Sequence, residues 1–431
     1  MPRRDRVGTL IVGAGVAGLG AGLAARECGL DFQLVEAAER PGGLVQTDEL
    51  DGFCFDRTAH VLHLRLSPSR ERFRGLGIPL RRTRRRAAVI VSGQLVPYPL
   101  QYNLWALGKP RLVALLLSEL GRAAARPGGR PASFAELLRS RWGEGLVSLF
   151  FRPYNEKLWG RPLEELPADC AGDYLPEVDL ELARRGAAAS TQYAGYNGHF
   201  LYPESGRFGD IAAHLAEPLR PRLSCAEAVV AVDLDSHEAT TSGSRTFVYE
   251  RLVGAGSLPR LLEAAGCLNG LGDLFDATSV ANVRVALRGR MRTPLHWVYT
   301  PDADVPFHRV AFPRNLNSAT CPNGCVSLSV EYTLPLRGRR TPTAEIADAA
   351  VAYAADFGLI EVEEVQGVWE AIISPAYVLH RAPTREELCR LRSSLADRDV
   401  HVAGRFGEWD YLSIEQSFVS GTQAVQAVAY A

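Results

Sequence analysis

The stretch TLIVGAGVAGLGAGLAARECGLDFQLVEAAERPGG, residues 9–43, decides the fold. Residues 9–12 form an apolar run leading into Gly13-x-Gly15-x-x-Gly18, and a helix of small residues is expected to about residue 28. A second strand at 32–35 ends on Glu36, 18 residues after Gly18. Glycines at these spacings let the backbone turn tightly, approach a diphosphate and pack helix against strand, with Ala17 small enough to do the same. The helix N-terminus then offers unpaired N–H groups and partial positive charge to phosphate oxygens. Glu36 is placed to accept hydrogen bonds from a ribose diol, with Ala37 beside it. A glycine-rich strand–helix turn without ligand is the bland alternative, but strand, helix, strand and acid occur here in order.

Just beyond the acid the chain reads Glu39-Arg40-Pro41-Gly42-Gly43-Leu44. Adjacent glycines expose amides to a ligand, and Arg40 is suited to pairing with a phosphate. A plain surface turn is the competing reading of Gly42-Gly43. The arrangement resembles the FAD signature of the glutathione-reductase-like flavoproteins, which favours FAD over NAD.

Composition sets the bounds. At 431 residues two domains are expected, and 47% hydrophobic against 23% charged residues is the balance of a globular protein with a sizeable core. A net charge of −1 gives no reason to expect nucleic acid. Only Lys109 and Lys157 are lysines, the remaining positive charge being arginine. With eight residues before Thr9 a signal peptide is not expected, and no apolar run is long enough to span a membrane. Eight scattered cysteines without a disulfide framework fit a reducing cytoplasm. Cys321 and Cys325, in CPNGC, lack a second pair at zinc spacing, so a Pro-Asn-Gly turn is the reading and no metal is expected.

Further along, strands are expected at 87–91 and 94–97, and a largely helical stretch from about 102 to 182 is broken by a loop at 126–131. AEAVVAVDLD and RTFVYERLVGAG (226–258 region) return to strand character, HWVYT, CVSLSVEY and residues 362–373 add more, and the tail reads strand, loop, helix. The fold class is therefore α/β with α+β character: a discontinuous Rossmann-type FAD domain of glutathione-reductase-like build, with an inserted helical and β substrate domain. Boundaries are placed at 1–80, 200–260 and 385–431 for the first, and 81–199 and 261–384 for the second.

Five segments carry a resemblance spanning nearly the whole chain. They are the opening signature, DGFCFDRTAHVLHLR (51–65), FFRPYNEKLWGRPLEEL (150–166), YPESGRFGDIAAHLAE (202–217) and GRFGEWDYLSIEQ (404–416). In this order they resemble the flavin amine oxidase and protoporphyrinogen oxidase-like superfamily, nearest in motif to UDP-galactopyranose mutase-like proteins. The resemblance implies that Gly404 and Arg405 close a strand near a non-covalent FAD. It also implies that Leu412, Ser413 and Ile414 begin a helix whose N-terminus faces the ring. Positive potential there stabilises reduced flavin. Val229 and Val230 would offer backbone groups to the adenine, although a buried valine-rich strand explains them equally well.

His60 and His63 fall on the paired histidines of the mutases, where an imidazole can bond the ring or the substrate and move protons. A satisfied structural histidine is the alternative for each. Tyr411, inside the tail motif, joins them as a candidate catalytic group. Tyr154, Trp159, Tyr377 and Trp409 could stack a sugar or base, against the default of core packing. The run from Arg81 to Arg86 is read as a solvated edge rather than a phosphate patch.

Departures qualify the likeness. Where the mutases use an arginine about fourteen residues past Trp159, Asp173 stands here, and an anion repels phosphate. Ser413 replaces the tail acid, and Thr58 and Ala59 replace the glycines before the first histidine, which points to a different loop path. With no cysteine after Cys389, covalent flavin is not expected. The resemblance implies an FAD-dependent oxidoreductase taking a hydride from a small polar substrate (sugar-like, amino-sugar or amine) in bacterial specialised or glycan biosynthesis. Two alternatives stay open. One is a reduced-flavin, non-redox sugar mutase acting on a nucleotide-linked sugar; the other is a flavin-binding protein without catalysis.

Overall fold

The computed structural model describes residues 4–429 apart from 126–128, 130, 173–174, 176–177, 192–197, 336–338 and 380–381. The loop expected at 126–131 and Asp173 thus fall largely or wholly outside the described residues. Where described, the chain is an α/β protein built on two large sheets.

The first sheet runs, in spatial order, β10 (Val229–Asp233), β11 (Glu238–Thr241), β12 (Thr246–Gly254), β1 (Arg4–Val12), β2 (Phe32–Val35) and β9 (Leu223–Ser224). A further strand, β18 (Val400–Val402), also pairs with β12. The pairings of β1 with β2 and β12 are parallel, and helices cover both faces. This is why Leu10 and Ile11 at the end of β1 are fully buried: a central parallel strand has no solvent face. Helix α1 (Val16–Glu27) is made of small residues because α13 (Ile414–Ala429) lies directly against it. A Cβ on Gly20 would stand 2.6 Å from the Phe418 carbonyl oxygen, and one on Gly421 only 1.8 Å from that of Ala17. The two ends of the chain are therefore packed backbone to backbone.

The second sheet runs β17 (Ile360–Leu379), β13 (Asp276–Met291), β16 (Cys325–Thr333), β15 (Arg309–Ala311), β14 (Trp297–Tyr299), β6 (Ala87–Val91) and β7 (Gln94–Pro97). Residues 87–91 and 94–97 form the strands that the sequence predicts. Helix α10 (Thr343–Asp356) packs on β13, β16 and β17, and the other helices near this sheet are α3 (Pro110–Ala124), α4 (Phe134–Leu146), α5 (Arg152–Trp159) and α6 (Leu180–Ala188). Leu116, Leu120, Phe134, Trp142 and Phe151 fill a core in this helical layer. A π-helical turn at Val147–Phe151 joins α4 to α5 and carries the chain into the aromatic motif.

Two two-stranded sheets complete the strands: the hairpin of β3 (Thr47–Leu50) with β4 (Phe53–Asp56), and β5 (Leu80–Arg84) paired antiparallel with the distant β8 (His199–Pro203). Short helices α2 (Ser67–Gly75), α7 (Asp210–Ala216), α8 (Leu258–Ala264), α9 (Pro313–Leu316) and α12 (Gly404–Gly407), and the longer α11 (Ala382–Ala396), lie between them. CPNGC is the expected turn: the Cys325 N–H donates to the Pro322 carbonyl, and all eight cysteines are free thiols.

Candidate functional site

The glycine loop between β1 and α1 has the geometry of a diphosphate cradle. Gly13 adopts φ 99°, and its carbonyl oxygen would sit 1.8 Å from a Cβ on Gly18, so neither position tolerates a side chain. Gly15 differs, since a Cβ there would meet nothing within 4 Å. Space is open on that side of the loop, at the start of a helix with no side-chain cap and no acid in its first turn. Free N–H groups opening onto space without negative charge suit a phosphate. Gly42 and Gly43, at φ 123° and 58°, close the cradle: the Gly42 N–H donates to the Ala14 carbonyl at 2.8 Å, and Gly15 and Gly42 form a parallel bridge. Leu44 then turns inward against Val280, Ile373 and Ala376.

Glu36 is half-buried at the end of β2. Its Oε2 accepts from the Ala14 N–H at 2.6 Å and its Oε1 from Ala38 at 2.9 Å. Each carboxylate oxygen keeps lone-pair capacity for a second donor such as a hydroxyl. The Glu227 N–H donates to the Glu36 carbonyl, bringing the start of β10 to the acid. Val229 is half-buried, and Val230 sits at a register shift with 54% exposure rather than in the core. Arg40 is engaged elsewhere: it pairs with Asp48 at 3.1 Å on the outer face, not with the glycine loop.

The tail reaches this cradle through Gly404, whose Cβ would lie 2.5 Å from that of Ala17 and whose φ is 79°. Arg405 holds the following loop. Its Nη2 and Nε donate to the Leu412 carbonyl at 2.7 and 2.9 Å, its Nη1 to the Ala376 carbonyl at 3.2 Å, and its guanidinium lies 4.8 Å from the centre of the Tyr411 ring. Helix α13 begins at Ile414, as the sequence predicts, with a capping box: the Gln416 N–H donates to Ser413 Oγ and the Ser413 N–H to the Gln416 side chain. Self-capping occupies part of the helix end, leaving the Ile414 and Glu415 N–H groups as the donors suited to a flavin edge. Glu415 itself is buried and turned to the other side, accepting from the Arg65 and Leu66 N–H groups at 2.8 Å each and from Ser69. It fixes the loop that carries both histidines.

That loop follows a glycine-like path despite its substitutions. Thr58 adopts φ 64°, a left-handed conformation that costs a β-branched residue free energy and clusters at functional sites. The Ala59 N–H donates to Glu331, and the Thr58 hydroxyl contacts the His60 ring at 3.2 Å. Burial first, then Arg405, holds His60 down to about 4. Burial and the Arg65 and Arg85 cations hold His63 down to about 4. Both rings are neutral at pH 7. At that pH they are hydrogen-bonding groups and weak bases.

Beside them Trp159, Tyr377 and Tyr411 form a triangle of edge-on rings with centroids 5.7, 5.7 and 5.8 Å apart. Trp159 is fully buried at its base. Tyr154 stacks on Phe150 and meets Tyr299 edge-on at 5.3 Å and His308 at 6.3 Å. Trp409 does not join them: it is buried against Phe275 and Phe406 in the core beneath the first sheet, at φ 53°.

The sequence reading missed the charged centre of this site. Arg309 on β15 and Glu331 on β16 are paired, Glu331 fully buried and held below the usual carboxylate range by Arg309 against the opposing effect of burial. Tyr154, Tyr299 and Tyr377 surround the guanidinium. Buried polar atoms without a protein partner gather here: Arg309 Nε, Glu331 Oε2, both ring nitrogens of His308 and Trp159 Nε1. Such groups are costly unless a polar ligand meets them. An acid inside the otherwise buried run CVSLSVEYT was the available signal. Lys157, from the aromatic motif, is structural. Its Nζ donates to the Thr300, Asp302 and Phe307 carbonyls, clamping α5 to the segment leading into β15.

A family described as an NAD(P)-binding Rossmann-like domain matches residues 11–74. Among solved structures, reduced UDP-galactopyranose mutase is similar with a TM-score of 0.89 and 25% identity, covering 98% of this chain and 95% of that one. A protein described as a protoporphyrinogen oxidase from Exiguobacterium sp. 255-15 gives 0.75 and 16%, covering 99% of each chain. Putrescine oxidase bound to putrescine gives 0.63 and 15%, covering 99% of this chain and 100% of that one.

Proposed function

We propose that this chain, which has the fold of the FAD-dependent amine-oxidase-like superfamily, holds FAD non-covalently and oxidises a small polar substrate bearing hydroxyl or amino groups. FAD would lie along Gly13, Gly15, Ala17 and Gly18, with its ribose at Glu36 and Ala37 and its ring toward Arg405, Leu412, Ser413 and Ile414. When bound, the flavin supplies a hydride acceptor. One observation carries the reading: beside His60 the Ala59 N–H donates to Glu331, the partner of Arg309, while Arg405 anchors the tail loop against Tyr411. On this reading the histidine loop, the tail loop and the buried ion pair would border the substrate together.

The chain's own groups would bind and orient. Arg309 stays cationic and directs an oxygen-bearing substrate, and Tyr154, Tyr377 and Tyr411 offer ring faces and hydroxyls. Burial keeps the Tyr154 and Tyr377 phenols protonated, so they donate hydrogen bonds rather than act as bases. Neutral His60 and His63 accept or donate a hydrogen bond without adding charge beside the ring. The packed aromatic floor excludes water.

A second reading, a reduced-flavin mutase without net electron transfer, is favoured by the likeness to UDP-galactopyranose mutase together with Tyr154, Trp159 and Tyr411. Anaerobic mixing with nucleotide sugars, amino sugars and amines separates the two. Bleaching of the yellow colour by a substrate, and peroxide on re-aeration, support oxidation. Isomerisation only after dithionite supports the mutase. Colourless folded protein that takes up no FAD refutes both.

A further inference from the structure

Arg85 breaks the expectation that residues 81–86 form a solvated edge. Arg81, Arg82, Arg84 and Arg86 are exposed, but Arg85 is 6% exposed, between β5 and β6. Its N–H donates to the Gly198 carbonyl, and its guanidinium lies 4.7 Å from the centre of the Tyr98 ring. Its Nε has no hydrogen-bond partner. Other deeply set arginines are matched by carboxylates: Arg161 by Asp276, Arg284 by Asp48 and Arg309 by Glu331. Among the described residues none plays that part for Arg85.

A guanidinium stays charged at any pH the fold survives. Taking it out of water costs several kcal/mol, and a cation–π contact returns only about 0.5–2 kcal/mol. Arg85 is thus short of a counter-charge, and its surroundings point to where one belongs. Tyr98 lies 4.9 Å from Tyr299, which meets Tyr154 at 5.3 Å. The rings form a continuous row from Arg85 toward Arg309. Arg85 also acts on His63, so it borders the flavin-side loop. We propose that Arg85 is the oxyanion-recognition group of the cleft, and that the substrate carries a phosphate or carboxylate held there while its ring lies along Tyr98 and Tyr299. Two parallel N–H donors match either oxyanion. The inference rests on the cleft assignment made above and narrows the substrate class to anions.

The test uses FAD-loaded protein, so that the diphosphate cradle is filled. Inorganic pyrophosphate and malonate are titrated by calorimetry, with the visible flavin spectrum recorded in parallel. Wild type should bind at least one probe saturably, and the stronger one names the anion class. Arg85→Met should weaken that binding at least about tenfold, the loss of one charge-assisted hydrogen bond. Arg85→Lys should lie between, and Arg82→Met, an exposed neighbour, should match wild type. No saturable binding by wild type, or equal binding by folded Arg85→Met, overturns the proposal. Arg85-dependent binding without any spectral change leaves the oxyanion site standing and counts against the cleft assignment instead.

Discussion

Replacing Glu331 with glutamine tests the buried ion pair most directly. The variant keeps side-chain volume and an acceptor for the Ala59 N–H, but removes the counter-charge of Arg309 at a position with 0% exposure. Breaking a buried pair from one side costs about 3–5 kcal/mol, because the surviving charge is left uncompensated. Unfolding entropy of about 2.1 cal/mol/K per residue over 431 residues gives roughly 0.9 kcal/mol per kelvin for cooperative melting. The melting temperature of Glu331→Gln should therefore fall by about 3–6 °C. Adding Arg309→Met removes the stranded cation, so the double variant should melt above Glu331→Gln, a coupling that a double-mutant cycle isolates. Scanning calorimetry on the four proteins measures it, with visible absorbance reporting retained flavin. A single variant melting within about 1 °C of the parent, or a double variant melting below Glu331→Gln, would refute the argument that charge compensation holds this site.

Three other outcomes are expected. Gly15→Val should fold normally yet lose its yellow colour, because its side chain enters open space, whereas Gly18→Ala should damage the fold by colliding with the Gly13 carbonyl; equal flavin content in Gly15→Val and wild type contradicts the cradle. Glu415→Ala strands the Arg65 and Leu66 N–H groups and should cost about 2–4 kcal/mol, read as faster hydrogen exchange at 60–66; unchanged protection there removes its anchoring role. Acid should destabilise the protein early. His60, His63, His296 and His308 are each held down to about 4 from 6.5, so the unfolded chain binds more protons between those values. Stability is then fully present above about pH 6.5 and is lost as pH falls through 4. Asp56, pushed up to about 6 chiefly by burial, opposes this with one proton of the opposite sign. Urea midpoints that stay flat from pH 6.5 to 4.5 would contradict it.

The glycine cradle was legible because its determinants are local. Gly13, Gly15, Gly18 and Glu36 fall within one strand–helix–strand unit, where spacing alone dictates the geometry, and the start of the tail helix followed from the resemblance of GRFGEWDYLSIEQ. The buried ion pair depends on sheet pairing. Arg309 and Glu331 meet only because β15 and β16 are antiparallel neighbours in that register, and no local period in the sequence encodes it. Trp409 and Arg85 were misplaced for the same reason. One lies in a motif yet points into the core, while the other lies in a charged run yet points away from water. Thr58 shows that a position where a glycine is usual can still be left-handed, since threonine here adopts φ 64°.

The backbone-close pairing of α1 with α13 has a consequence for biosynthesis. The helix that starts the diphosphate cradle waits, as the ribosome proceeds, for a partner encoded almost four hundred residues later. At translation speeds of about 5–20 residues per second that interval is on the order of 20–80 s. Throughout it the glycine-rich face of the first helix has no cover. A nascent chain released early would carry an orphaned apolar helix, so the packing of the first helix depends on synthesis reaching the tail.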